Sequence, residues 1–142
     1  MSRPDPSTLQ PGTPLPTRAH TPDTTDLFFY NAALWNAHRI HYDLPYATTA
    51  EGYPGLVVPG PLMGDWLAQC VDDWLGDAGT IVRFEYSNRQ AAYVGEVLTS
   101  GGTIESYDGS RGEAVVSLFV RNADGEIIVP GRATVRFRTV RP

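Results

Sequence analysis

The sequence predicts an α+β domain, an antiparallel sheet wrapped round one long apolar helix, and three observations carry the prediction. In "GLVVPGPLMGDWLAQCVDDWLGDAG", Leu62, Met63, Trp66, Leu67, Cys70, Val71 and Trp74 cover more than half of a helix circumference, so this helix needs burial on most sides. From residue 80 onward the hydrophobic period drops to two, the period of strands. At 142 residues the chain encloses one core and is too short for two comfortable ones. Among several α+β arrangements, one sheet curling round one helix buries both most economically.

The elements follow in order. Residues 1–22 hold six of the twelve prolines, at positions 4, 6, 11, 14, 16 and 22, among Ser, Thr and Asp. Such a segment cannot build a helix and has little to bury, so it reads as an extended or partly disordered surface arm ahead of a domain at 23–142. In "TPDTTDLFFYNAALWN", Thr24 or Thr25 is placed to cap a helix, and Leu27, Tyr30, Asn31 and Leu34 follow helical spacing. Pro45, Gly52, Pro54 and Gly55 then oppose regular helix. Pro61 suits the first turn of the long helix, which Gly76 and Gly79 close. Beyond it "TIVRFEYS", "AAYVGEVLTSG", "EAVVSLFVRN", "EIIV" and "ATVRFRTV" read as four or five antiparallel strands, with "NADG" as a turn between two of them.

Composition excludes several function classes. Hydrophobic content of 42%, with 19% charged residues, is that of an ordinary soluble globule. A net charge of -5 argues against nucleic-acid binding, which draws on clustered Lys and Arg. Apolar stretches are broken well short of the ~20 residues a bilayer requires, so no membrane span is expected. The lone Cys70 has no partner for a disulfide within the chain, and no basic-then-apolar secretory pattern opens the sequence, so the cytoplasm is the expected compartment.

Two of the three histidines fall in "NAHRIHYD", residues 36–43, at or just beyond a helix end. His38, His41 and Asp43 invite a metal reading, but no Cys or further His completes a set, and neither a metal nor a cofactor is expected. Arg39 and Asp43 read as a local charge pair, and Tyr42, Tyr46 and Tyr53 as packing residues with wet hydroxyls. Alternation along the last strand puts Arg136 and Arg138 on one face, opposite Val135 and Phe137.

Three motifs in order, "LFFYNAALWNAHRIHYDLPYA", "EGYPGLVVPGPL" and "VPGRATVRF", resemble the MaoC-like hydratase and dehydratase family. The resemblance covers residues 24–140 and is strongest to the branch of hydroxyacyl-thioester dehydratases and mesaconyl-CoA hydratases. It implies a single hot-dog fold that pairs as a homodimer or heterodimer. It also implies addition or removal of water across the α,β double bond of an acyl thioester on coenzyme A or an acyl carrier protein. By resemblance His41 is the catalytic histidine, and Asn36 stands where many members have aspartate. Pro59 replaces a histidine common in close relatives, and one hot dog stands where that branch usually carries two.

The residues support such chemistry. Histidine exchanges protons near neutral pH, whereas the Asn36 amide does not titrate and is suited to orienting water. Neither Pro59 nor Pro61 donates a hydrogen bond, so Gly60, with Leu62 second, is the backbone donor expected for the thioester oxygen. His38, Tyr53, Pro59, Leu62 and Trp66 are the expected substrate-binding neighbours, and Arg83 and Arg89 head the arginines placed to meet phosphate. Two further readings share the fold: a hot-dog subunit that depends on a catalytic partner, and an enzyme of specialised metabolism that reuses the site.

Overall fold

A computed structural model describes residues 4–138. Helix α1 (Thr24–Leu34) precedes the long α2 (Gly60–Leu75), and five strands follow the order β1-β3-β4-β5-β2 in one antiparallel sheet. These are β1 (Arg18–His20), β2 (Gly79–Tyr86), β3 (Leu98–Asp108), β4 (Glu113–Arg121) and β5 (Ile127–Phe137). The sheet curls round α2, the hot-dog arrangement that the pattern and the resemblance anticipate.

The apolar wrap of α2 explains its place. Met63, Trp66, Leu67, Cys70, Val71 and Leu75 are all buried, while Asp65, Asp72 and Asp73 point outward. The facing side is built from strand alternation, for example Ala114, Val116, Leu118 and Val120 along β4. Helix and sheet approach closely at Gly64, where a Cβ would run into the Tyr86 ring, and at Gly131, where one would lie 2.8 Å from Leu67 Cδ1, so glycine at both positions eases the packing.

Several details depart from the sequence reading. The α1 cap is Asp23 rather than Thr24 or Thr25. Its carboxylate accepts from the Asp26 N–H at 2.8 Å, and the Asp26 carboxylate accepts from the Asp23 N–H at 2.9 Å, a reciprocal box. Asp23→Ala is expected to destabilise the fold by about 1 kcal/mol, read as a lower urea midpoint with an unchanged slope. Leu34 is exposed, because α1 turns only Leu27 and Asn31 fully inward. The run at 91–101 becomes strand only from Leu98, and the two C-terminal runs join through Pro130 into the single β5. Thr139 and Val140, which close the last of those runs, lie outside the described residues.

The fifth strand comes from the proline-rich arm. That arm is extended, as its prolines require, but it lies along β3 instead of standing away in solvent. The Leu15 N–H donates to the Gly102 carbonyl and the Ile104 N–H to Thr13, each at 2.8 Å, and Leu15 is buried. His20 stacks on Trp66 with ring centroids 4.0 Å apart, and its Nε2 lies 2.9 Å from Ser100 Oγ.

A second small core of Leu27, Ile40, Ala47, Leu56 and Val57 joins α1 to the segment that carries the histidines. Pro45 opens a single π turn, Tyr46–Ala50, where the sequence reading expected no regular helix.

Candidate active site

His41 ends a one-turn 3-10 helix, Arg39–His41, fixed from three directions. Ile40 anchors it in the small core, and the Ile40 carbonyl accepts from the Val57 N–H at 3.0 Å. The Arg39 guanidinium donates from Nε and Nη2 to Asp43 at 3.0 and 2.7 Å and lies over the Tyr46 ring, confirming the local charge pair. The other Asp43 carboxylate oxygen accepts from the Tyr46 N–H at 3.1 Å. Arg39 holds the Asp43 carboxyl below its ordinary range.

The His41 ring is buried, with Nδ1 2.7 Å from the Val57 carbonyl oxygen. A carbonyl only accepts, so Nδ1 carries the proton and the lone pair of the neutral ring is on Nε2. Burial lowers the His41 pKa, the Val57 bond opposes that shift, and nearby His38 adds to it. At neutral pH the ring is therefore a free base. It lines a cleft of about 350 Å³ with Val58, Gly60, Met63, Asn88 and Arg89.

Gly60 is the first residue of α2, where the N–H has no helical partner and the helix dipole is positive. Leu62 does not share that role, because its N–H donates to the Pro59 carbonyl at 3.1 Å. Pro59 is buried at the helix cap.

Other expected neighbours are placed differently. Asn36 lines a separate cleft of about 300 Å³ with Asn31, Trp35 and Tyr42, and its Oδ1 accepts from the His38 N–H at 3.1 Å. The left-handed residue ending α1 is Trp35 (φ 56°). Since Trp35 is 92% exposed and a left-handed bulky residue is strained, Trp35→Gly is expected to raise stability by about 1 kcal/mol in a thermal melt. Leu62 and Trp66 face the far side of α2, lining a cleft of about 520 Å³ with His20 and Tyr30. Tyr53 packs near Tyr93. His38 is exposed, edge-on to His41 at 5.7 Å. Arg83 pairs with Glu85 on the surface, while Arg89 borders both the His41 cleft and a shallower one shared with Arg132. Among the described residues no three metal-ligating side chains cluster.

Sequence reasoning missed two partners. The Val57 carbonyl, which sets the His41 tautomer, gives no side-chain signal. Asn88, beside Gly60, lies in a polar loop without a motif.

The fold is thus a hot dog in which His41 and the N-terminus of the central helix share one cleft. The family model for hydroxyacyl-thioester dehydratase type 2 matches residues 2–94, and the chain belongs to that family. A mesaconyl-C(4)-CoA hydratase of Chloroflexus aurantiacus is 55% identical over 60 residues, which make up 42% of this chain and 21% of the relative. A solved MaoC-like dehydratase superposes with a TM-score of 0.86 at 26% identity, covering 96% of this chain and 43% of that one. The ChsH1-ChsH2 complex from Mycobacterium tuberculosis contains a chain with the same fold, with a TM-score of 0.80 at 20% identity and covering 91% of this chain and 98% of that one. The matched part thus spans about a fifth of the hydratase and less than half of the MaoC-like dehydratase. No helix among the described residues is long and apolar enough to cross a membrane.

Proposed function

We propose that the protein adds water to the α,β double bond of an enoyl thioester carried on coenzyme A or an acyl carrier protein, or runs the reverse dehydration. The observation that carries the reading is the His41 ring, which is held by Val57 through Nδ1 and presents a basic Nε2 in the cleft that also contains the Gly60 N–H.

In hydration, Nε2 takes a proton from water as the water oxygen bonds to Cβ. The π electrons move toward the thioester, whose oxygen gains charge and is met by the Gly60 N–H. Nε2–H then returns the proton to Cα and the carbonyl reforms. Asn36 acts here as a positioning residue, holding the His38 N–H and thereby the turn that aims His41. Arg89 at the cleft mouth suits the phosphates of the carrier.

A paired assembly fits this reading. Edge strand β2 has one neighbour in the sheet, and Phe28, Phe29 and Trp35 are exposed on and beside α1. The partner is a second hot dog, of this chain or another. The single Cys70 thiol suits a reducing compartment such as the cytoplasm.

The test is a panel of enoyl-CoA thioesters of increasing acyl length, followed by loss of the conjugated enoyl absorbance. Turnover by the purified protein is the expected result. A folded, paired protein that leaves the whole panel untouched overturns the reading. A second reading, a subunit needing a catalytic partner, is favoured by the 43% coverage of the MaoC-like dehydratase. It predicts turnover only after mixing with another hot-dog chain.

A further inference from the structure

An enolate-like oxygen is stabilised best by two donors, and the backbone around the His41 cleft supplies few. Pro61 has no N–H. The N–H groups of Val57, Val58, Leu62 and Met63 donate to the carbonyls of Ile40, Ala92, Pro59 and Pro59 at 3.0, 2.8, 3.1 and 3.4 Å. Those of Arg89 and Gln90 donate to Ile128 at 2.9 and 3.3 Å. At the start of α2 this leaves the Gly60 N–H without a second backbone donor beside it.

A side chain with N–H groups to donate lines the same cleft. Asn88 follows β2 and lines the same cleft as His41 and Gly60. Its amide covers the Cα of Gly60 so closely that a Cβ there would run into it, meeting Nδ2 first and Oδ1 last, at 3.2 Å. The NH₂ end therefore leads toward Gly60. No hydrogen bond to another described residue engages this amide, and the residue is open to the cleft. A side chain at position 60 would displace the Asn88 amide.

We infer that Asn88 is a catalytic residue, donating an Nδ2–H hydrogen bond to the thioester oxygen beside the Gly60 N–H. The inference rests on the hydration reading above. Asn88 transfers no proton. Water's proton passes to His41 Nε2 and then to Cα, and the amide keeps both hydrogens while charge rises and falls on the oxygen.

The experiment compares the intact protein with Asn88→Ala and Asn88→Asp in two measurements. With crotonyl-CoA, Asn88→Ala is expected to lower kcat about 10²-fold while KM changes less than about threefold. Asn88→Asp, whose ionised side chain only accepts, falls at least as far. The second measurement needs no turnover: 4-(dimethylamino)cinnamoyl-CoA absorbs at longer wavelength when its carbonyl accepts hydrogen bonds, and this red shift on binding should shrink in both variants. Thermal melts of the two variants should match that of the parent, because Asn88 is exposed. Variants with unchanged kcat and an undiminished red shift overturn the inference. If the parent leaves crotonyl-CoA unchanged, the hydration reading fails on that substrate, and the red shift still decides whether Asn88 polarises the carbonyl.

Discussion

His41→Ala is expected to remove hydration of enoyl-CoA, with a loss of about 10⁴-fold, the upper end of what one acid–base group contributes. The size follows from the cleft. Asn88 does not titrate, His38 stands edge-on at 5.7 Å, and a single ring both accepts the water proton and returns it. The fold should survive, since the change strands only the Val57 carbonyl, at about 1 kcal/mol.

The pH profile supplies a companion result. Burial lowers the His41 pKa below the ordinary 6.5, and hydration requires the unprotonated ring. The rate should be level at neutral pH and fall only in acid, below 6.5. The stability sign is the same, because the unfolded chain binds the His41 proton more tightly than the folded one. Stability is full above 6.5 and declines as pH drops below it toward the folded pKa. His20, also lowered by burial, adds in the same direction. A rate that instead falls on raising the pH through neutrality would show that the protonated ring is the active form.

Leu67→Ala is expected to destabilise the protein by about 3 kcal/mol, a large share of the 5–15 kcal/mol typical of a domain. Leu67 is fully buried, and its Cδ1 reaches into the space that Gly131 leaves vacant. Truncation opens a void between α2 and β5 that a glycine cannot refill, and the strand is held on both sides by β4 and β2. Leu62→Ala, at a half-buried position on the same helix, should lose much less. Urea unfolding of the two variants measures the contrast, and equal losses would remove the argument from helix–sheet contact.

The parts legible in the sequence are those whose own side chains encode their surroundings. Helix α2 announces burial by being apolar on most sides, and β4 by strict alternation of Ala114, Val116, Leu118 and Val120. β1 carries no such signal. Three residues, Arg18–His20, become strand because β3 offers them carbonyls and N–H groups, and the flanking prolines disguise the segment as a free arm. The Asp23 cap is hidden behind two threonines that are equally plausible by type. At the site, His41 and Gly60 stand out through their motifs. The Val57 carbonyl is backbone, and Asn88 meets Gly60 only because the chain returns after β2. The consumption of the Leu62 N–H depends on where the Pro59 carbonyl points, which spacing does not encode.

The two borders of the sheet are unlike in a way that governs growth. On one side stands β1, three residues long and bracketed by Pro14, Pro16 and Pro22, a poor template for another strand. On the other stands β2, with eight residues. Two copies joined through β2 would present only the short, proline-guarded borders to solvent, so the union ends with its first step. A sheet with two long borders could polymerise. Pairing through β2, as proposed above, would stop at two.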